Sequence, residues 1–282
     1  MNILVLGISG MLGSTVSRFL SDSFNVYGTA RNSTSLDKSR AHIFYEKDIF
    51  DSTKLKKIFN QARPDVVINC IGVIKQKKRE VSVDEMIFIN SVFPHNLFRM
   101  CQEFNSRLIN ISTDCVFKGD KGNYYEYDLC DATDLYGKTK FLGELHYLNS
   151  VTLRTSIIGF ECNSNYSLLE WFLSRKDSVY GYNKAIFSGV TTLELARVIR
   201  DLIIPNTTIQ GLYHISSQPI SKFSLLEKLN NFFEKKLIII KDSSFVINRS
   251  LNSEKFLNAT GYSSPEWDNL IQDLISFGRN PN

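Results

Sequence analysis

The stretch Ile3-Leu4-Val5-Leu6-Gly7-Ile8-Ser9-Gly10-Met11-Leu12-Gly13 decides the fold class. Ile3 to Leu6 is a short unbroken apolar run, the pattern of a strand buried on both faces. Glycines follow at every third position, and Met11 to Leu20 then places Leu12, Val16, Phe19 and Leu20 at helical spacing. In such a turn Gly7 permits the sharp reversal, Gly10 lets the backbone approach a pyrophosphate, and Gly13 lets helix and strand pack closely. The free N–H groups of the helix end, with their partial positive charge, would face the phosphates. Three glycines alone are a weak signal. Their place between a buried strand and an amphipathic helix points to a dinucleotide site rather than to a structural turn.

Working outward, Asn25 to Thr29 and Ile43 to Tyr45 read as strands and Leu55 to Ala62 as a helix. Pro64-Asp65 breaks the chain before a buried strand over Val66 to Cys70. A long helix over Asp84 to Phe104, a strand over Arg107 to Ser112, a helix over Leu135 to Leu148 and a strand over Val151 to Ile157 complete the series. This alternation with short connections predicts a parallel sheet covered by helices on both faces. After Ile158 the pattern loosens. Helices at Leu168 to Leu173, Leu193 to Ile203, Ser224 to Phe233 and beyond Pro265 mix with strands at Leu212 to Ile215 and Leu237 to Ile240. The expectation is an α/β chain: a Rossmann-type doubly wound parallel sheet over residues 1–157, holding the dinucleotide, and a smaller irregular α/β C-terminal part over 158–282. That part would be mainly substrate-binding, with some segments returning to the main sheet. No internal repeat and no low-complexity segment is present.

Of the 282 residues 43% are hydrophobic, and 33 basic side chains against 29 acidic ones leave a net charge of +4, a globular balance that excludes a disordered chain. The cluster Lys75, Lys77, Lys78 and Arg79 reads as a solvated face, and no long basic stripe with interleaved aromatics predicts a nucleic-acid partner. Cys70, Cys101, Cys115, Cys130 and Cys162 contain no C-x-x-C pair, and His42, His95, His146 and His214 are dispersed. Neither a disulfide framework nor a metal site is expected. The first residues lack a basic region, and no apolar run approaches the ~18 residues of a membrane span. A reduced, cytoplasmic compartment fits.

The choice of dinucleotide falls at the end of the second strand, where an acidic residue would bond the adenosine ribose. The chain reads Tyr27-Gly28-Thr29-Ala30-Arg31-Asn32, with no acid. Arg31 can hold a 2′-phosphate by charge-assisted hydrogen bonds, so NADPH is favoured, with NADH the alternative and an ordinary loop arginine the bland reading. Asp48 and Ile49 are placed to border the adenine, although Asp48 fits a helix cap equally well. Gly72 leaves room for the cofactor or serves packing.

Tyr136-Gly137-Lys138-Thr139-Lys140 is Y-x-x-x-K, which on a helix puts Tyr136 and Lys140 on one face. A phenol titrates near pKa ~10, and to protonate an alkoxide near neutral pH it should fall by roughly 2–3 units. The Lys140 ammonium and a nicotinamide cation are the groups that could supply this. Alone, this motif is common. It gains force from the strand ending Ile111-Ser112-Thr113-Asp114, because ligand-facing residues gather at the carboxyl ends of parallel strands. A Thr113 hydroxyl there could bond the reacting carbonyl oxygen, or simply satisfy backbone.

The sequence here resembles the extended short-chain dehydrogenase/reductases, and among them the dTDP-4-dehydrorhamnose reductase family. The likeness rests on Gly7 to Gly13, Asn69-Cys70, Asn90, Ser112-Thr113-Asp114-Cys115-Val116-Phe117, Tyr136 to Lys140 with Gly143-Glu144, and Leu153-Arg154-Thr155-Ser156. It continues more weakly at Gly211 to His214 and Arg249 to Ser253. The resemblance implies reduction of the 4-keto group of a nucleotide-diphospho-6-deoxy-sugar in surface polysaccharide precursor biosynthesis. It implies Thr113, Tyr136 and Lys140 as the catalytic set. Cofactor contacts would come from Gly7, Ser9, Gly10, Met11, Leu12, Gly13, Arg31, Asp48, Ile49, Cys70, Ile71, Gly72, Ile111, Tyr136 and Lys140. Substrate contacts would come from Thr113, Asp114, Ile157, Arg249 and Asn252. Cys115 stands where the family often has tyrosine, Ile157 where it often has tryptophan, and Lys75 replaces a polar pattern after the fourth strand. These departures bear on the sugar more than on the reaction type. The acidic pair that some relatives use for magnesium has no counterpart here. A sugar-nucleotide epimerase or dehydratase is the competing enzyme reading, against which stand Cys115 after Asp114 and the absence of an acid at Arg31. A regulatory subunit that binds dinucleotide without catalysis is the third. A homodimer is compatible with all three.

Overall fold

The computed structural model describes residues 1–32, 41–74, 81–161 and 166–278. Lys75, Lys77, Lys78, Arg79 and Cys162 lie outside the described residues. Seven strands form the central sheet: β1 (Asn2–Leu6), β2 (Asn25–Ala30), β3 (His42–Tyr45), β4 (Val66–Asn69), β5 (Arg107–Thr113), β6 (Ser150–Thr155) and β11 (Gly211–His214). Their order is β11-β6-β5-β4-β1-β2-β3, and every pairing is parallel, as the alternating pattern predicts. The order reverses between β1 and β4, and in a doubly wound sheet the crevice for a ligand opens at that point.

The period of two along β1 divides the interior. Ile3 and Val5 pack on one face with Leu12 and Val16 of α1 (Met11–Leu20) and Leu195 of α7 (Thr192–Val198). Leu4 and Leu6 pack on the other with Leu55 and Phe59 of α2 (Ser52–Ala62) and Leu97 of α4 (Phe93–Glu103). Fully burying each such side chain contributes about 1.5–3 kcal/mol, which is what holds helices on both faces.

The C-terminal residues add β11 to the edge of the main sheet and build a second apolar cluster around Leu169, Phe172, Leu225 and Trp267. Three small sheets lie there: β7 (Ile157–Ile158) with β10 (Val190–Thr191), β8 (Ser178–Tyr182) with β13 (Ile238–Asp242), and β9 (Ala185–Phe187) between β12 (Ile220–Ser221) and β14 (Ile247–Asn248). Of these only β13 matches a strand expected from sequence. Helix α9 (Glu254–Thr260) was likewise not expected.

Three expected boundaries shift for identifiable reasons. The long helix is α3 (Val83–Ile87), a π turn (Phe88–Val92) and α4 in succession. Pro94 has no N–H to give the Asn90 carbonyl, and the ladder widens so that Phe93 N–H reaches Phe88 O. The helix expected to reach Leu148 is α5 (Leu135–Leu142), which stops at Gly143 as Glu144 turns into the interior. The strand expected over Val151 to Ile157 breaks at Ser156, whose carbonyl accepts from Val190 N–H at 2.9 Å as the chain leaves β11 for β10.

Candidate active site

The glycine turn is a fitted cradle. Gly7 takes φ +81°, a left-handed conformation that favours glycine, and its amide donates to Thr29 Oγ1 at 3.2 Å. A Cβ on Gly13 would sit 2.2 Å from Gly7 O, so α1 crosses the turn at a distance only glycine allows. Gly10 is the N-cap, with no side-chain cap and no acid in the first turn of α1. The amides of Met11, Leu12 and Gly13 therefore have no intrahelical acceptor and remain to bind an anion. Cys70 and Ile71 close the turn from the β4 side, within 3.0–3.5 Å of where a Gly7 Cβ would stand. These features fit a dinucleotide pyrophosphate.

Ser9 and Met11 are half-buried and Leu12 is buried. Arg31 is exposed one residue past β2. Asp48 is exposed, and the Ile49 side chain lies in the core cluster with Leu6 and Leu55. The helix cap allowed for at Asp48 is supplied by Asp51, whose carboxylate accepts from Thr53 and Lys54 N–H.

Strand β5 ends the sequence Ile111-Ser112-Thr113 in this crevice, and a single 3-10 turn (Asp114–Val116) follows. Thr113 Oγ1 accepts from Cys115 N–H at 3.1 Å and donates to Asp114 Oδ1 at 3.2 Å. Asp134 caps α5, accepting from Gly137 N–H at 2.9 Å. Gly137 lets α5 sit on that turn, since a Cβ would lie 2.2 Å from Cys115 O. The close approach brings the Tyr136 phenol near enough to the Thr113 hydroxyl for the two to interact. One helical turn on, Lys140 Nζ donates to Ile111 O at 2.7 Å and lies 3.9 Å from where a Gly72 Cβ would be. Thr113, Tyr136, Lys140, Ile111 and Gly72 are thus brought together at the carboxyl ends of β4 and β5.

The electrostatics differ from the expected acidified phenol. Burial pushes the Tyr136 phenol up, Cys115, Asp114 and Asp134 add to the rise, and the neighbouring Thr113 hydroxyl opposes them. Burial also pushes the Lys140 ammonium down to about 8, against the pull of Glu144 and Cys70. Desolvation outweighs the helix-face pairing on which the expectation rested.

The family model described as RmlD substrate binding domain matches residues 1–277. The chain belongs to the RmlD family. A relative from Aggregatibacter actinomycetemcomitans, a dTDP-4-dehydrorhamnose reductase, is 27% identical over 98% of this chain and 98% of its own length. The structure of a dTDP-4-dehydrorhamnose reductase from Bacillus anthracis, in complex with NADP, superposes with a TM-score of 0.81 at 20% identity, covering 98% of each chain. Methionine adenosyltransferase 2 subunit beta of Xenopus tropicalis is 29% identical over 52% of this chain and 42% of its own.

Within this RmlD-family fold the substrate residues expected from sequence divide. Asp114 is buried beside Thr113, its carboxyl pushed up by desolvation and pulled down by Lys222 and Arg249. Arg249 reaches the site, with Nε donating to Phe117 O at 2.8 Å and Nη1 lying 3.5 Å from Cys115 Sγ. Ile157 leans on the main core. Asn252 is turned to structural work: its Oδ1 accepts from Glu254 N–H at 2.8 Å, and its carbonyl faces His214 Nδ1 at 3.1 Å. Sequence reasoning missed two features. One is Lys222, the first residue of α8 (Lys222–Phe232), which acts on Asp114. The other is the buried set Glu144, Arg154 and His214, at which only the resemblance to family motifs hinted, weakly so for His214. Among the described residues no group of three or more His, Cys, Asp or Glu could hold a metal ion, and no helix is long and apolar enough to cross a membrane.

Proposed function

We propose that this RmlD-family chain reduces the 4-keto group of a nucleotide-diphospho-6-deoxy-sugar with NADPH, a step toward a surface polysaccharide precursor in the cytoplasm. The observation that carries the reading is the convergence of Thr113, Tyr136 and Lys140 on the crevice edge shared with the glycine cradle. NADPH, when bound, supplies the hydride. Residues 1–157 hold it: the first-turn amides of α1 take the pyrophosphate and Arg31 the 2′-phosphate. Residues 158–282 clasp the sugar nucleotide, with Arg249 toward its anionic part.

Tyr136 gives its phenolic proton to the carbonyl oxygen, and Thr113 hydrogen-bonds the same oxygen. The raised phenol pKa keeps that proton in place at neutral pH, the state a donor needs. Lys140, on the same helix face, holds the nicotinamide ribose and is the cation available to the phenolate left behind. Asp114 accepts from a sugar hydroxyl. Hydride and proton together convert the ketone to a secondary alcohol.

The test follows NADPH absorbance with dTDP- and UDP-linked 4-keto-6-deoxy-sugars side by side and identifies the product by NMR. Oxidation of NADPH with formation of the 4-hydroxy sugar supports the reading. Dinucleotide binding without turnover on any keto-sugar would instead favour a binding role.

A further inference from the structure

Lys222 occupies a position that local stability does not explain. It is the first residue of α8, where the positive end of the helix dipole disfavours a cation. Ser221 already caps the helix by accepting from Ser224 N–H at 3.0 Å. The Lys222 ammonium stands 3.5 Å from the centroid of the Phe187 ring, and among the described residues it has neither a hydrogen bond nor an ion pair. Burial pushes it down to about 8, while Asp114 and Cys115 pull it back up.

The small sheet β12-β9-β14 explains how a residue so distant in sequence reaches the site. Ser221 of β12 and Asn248 of β14 both flank Ile186 of β9. Lys222 and Arg249, each the next residue, leave the sheet on either side of that strand. Arg249 runs to Cys115 and Phe117, which flank the Asp114 turn, and Lys222 folds back over Phe187 within electrostatic reach of Asp114. The Lys222 ammonium and the Asp114 carboxyl are therefore neighbouring charges next to Thr113, and among the described residues no ion pair joins them.

We infer that Lys222 is a specificity-determining residue which, with Asp114, clamps a hydroxyl of the sugar ring: the ammonium donates to the hydroxyl oxygen and the carboxylate accepts its proton. A hydroxyl is the group that can satisfy both at once, and a carboxylate or a phosphate on the sugar would be repelled by Asp114. The Phe187 ring holds the ammonium by cation–π attraction while the pocket is open. This rests on the proposed sugar-nucleotide reading and names the part of the substrate that Lys222 reads.

The experiment compares the full chain with its Lys222→Met and Lys222→Arg variants, after matched circular dichroism and NADPH titration establish that all three fold. Calorimetry measures binding of a dTDP-linked 6-deoxy-hexose and of dTDP alone. The dTDP-linked sugar is expected to lose about tenfold or more in affinity in Lys222→Met, the scale of one charge-assisted hydrogen bond, with partial recovery in Lys222→Arg. Affinity for dTDP alone should stay within twofold. A 2-deoxy or 3-deoxy sugar should bind wild type and Lys222→Met alike at one of the two positions, which identifies the hydroxyl. Equal loss for dTDP and its sugar conjugate would overturn the inference in favour of phosphate binding, and no loss for either would overturn it outright. Because these readouts are equilibria, an inactive wild type would refute the proposed reaction without touching them.

Discussion

The Arg154 guanidinium meets the Glu144 carboxylate twice in the interior, through Nε at 2.9 Å and Nη2 at 2.6 Å. Ser112 Oγ donates to the same carboxylate at 2.6 Å. Ser112 precedes Thr113 and Glu144 follows the Gly143 cap of α5, so the pair fastens the end of β5, the C-terminal end of α5 and β6 into one block. Its role is to keep the hydroxyl, phenol and ammonium in register.

Removing one half of that pair leaves an uncompensated charge at a site no more than 1% exposed. Glu144→Gln is expected to cost about 3–5 kcal/mol, read as a lower midpoint in urea unfolding with an unchanged m-value. A loss under about 1 kcal/mol would mean that solvent reaches the pair.

His214 Nε2 faces Arg154 Nη1 at 2.9 Å, and Nδ1 faces the carbonyls of Tyr124 and Asn252 at 3.1 Å. Nε2 must then accept and Nδ1 carry the hydrogen, so the ring is neutral. Burial and the Arg154 charge push it down to about 3 from 6.5. Between those two values the unfolded chain binds a proton that the folded chain refuses, so stability is fully present above pH 6.5 and lost as pH falls toward about 3. From pH 6.5 to 5 this group alone should remove about 2 kcal/mol. Unfolding curves of His214→Gln, which keeps an amide in place of the ring, should show a correspondingly flatter acid limb.

In Gly13→Ala the new Cβ meets the Gly7 carbonyl at 2.2 Å, and backbone must move. Stability should fall by about 1–3 kcal/mol. NADPH affinity should fall at least tenfold, because the displaced atoms are the cradle itself. Fluorescence titration of NADPH and thermal unfolding read the two effects separately.

Arg31→Ala should raise the Kd for NADPH by about tenfold and leave that for NADH within twofold, since only the former carries the 2′-phosphate. Equal effects on both cofactors would make Arg31 an ordinary surface charge.

Tyr136→Phe removes the proton and keeps the ring. Turnover should drop by about 100-fold or more, with NADPH binding unchanged in the same titration. Unchanged turnover would remove Tyr136 from the mechanism.

The legible part of this molecule is the part with local signatures. The strand before Gly7, the helix after Gly13, the strand ending at Thr113 and the spacing of Tyr136 and Lys140 each carry a period or a motif, and the sheet order follows from their alternation. β10, β12 and β14 are two residues long, too short for any period to show. Lys222 has no motif around it, because its placement depends on β9 meeting β12 and on a turn more than a hundred residues earlier in the chain. Sequence overstates the extent of α5 because Glu144 looks like a helix surface residue until Arg154 stands beside it. Sequence overstates the acidity of Tyr136 because spacing shows which charges are adjacent and says nothing of how much water is lost.

The π turn over Phe88–Val92 has an inheritance of its own. It holds the Asn90 carbonyl, which Pro94 leaves without a helical donor, where Gly143 packs so closely that a Cβ would lie 1.9 Å away, while the Asn90 side chain bonds the N–H and carbonyl of Val73 and reaches Thr139 Oγ1. A helix advances about 100° per residue. Deleting any one residue between 88 and 92 would swing one flank of that helix by about the same angle, detaching either the β4 loop or α5. Length in this segment is therefore a frozen trait: descendants of the chain can exchange its side chains, Asn90 apart, far more easily than they can shorten it.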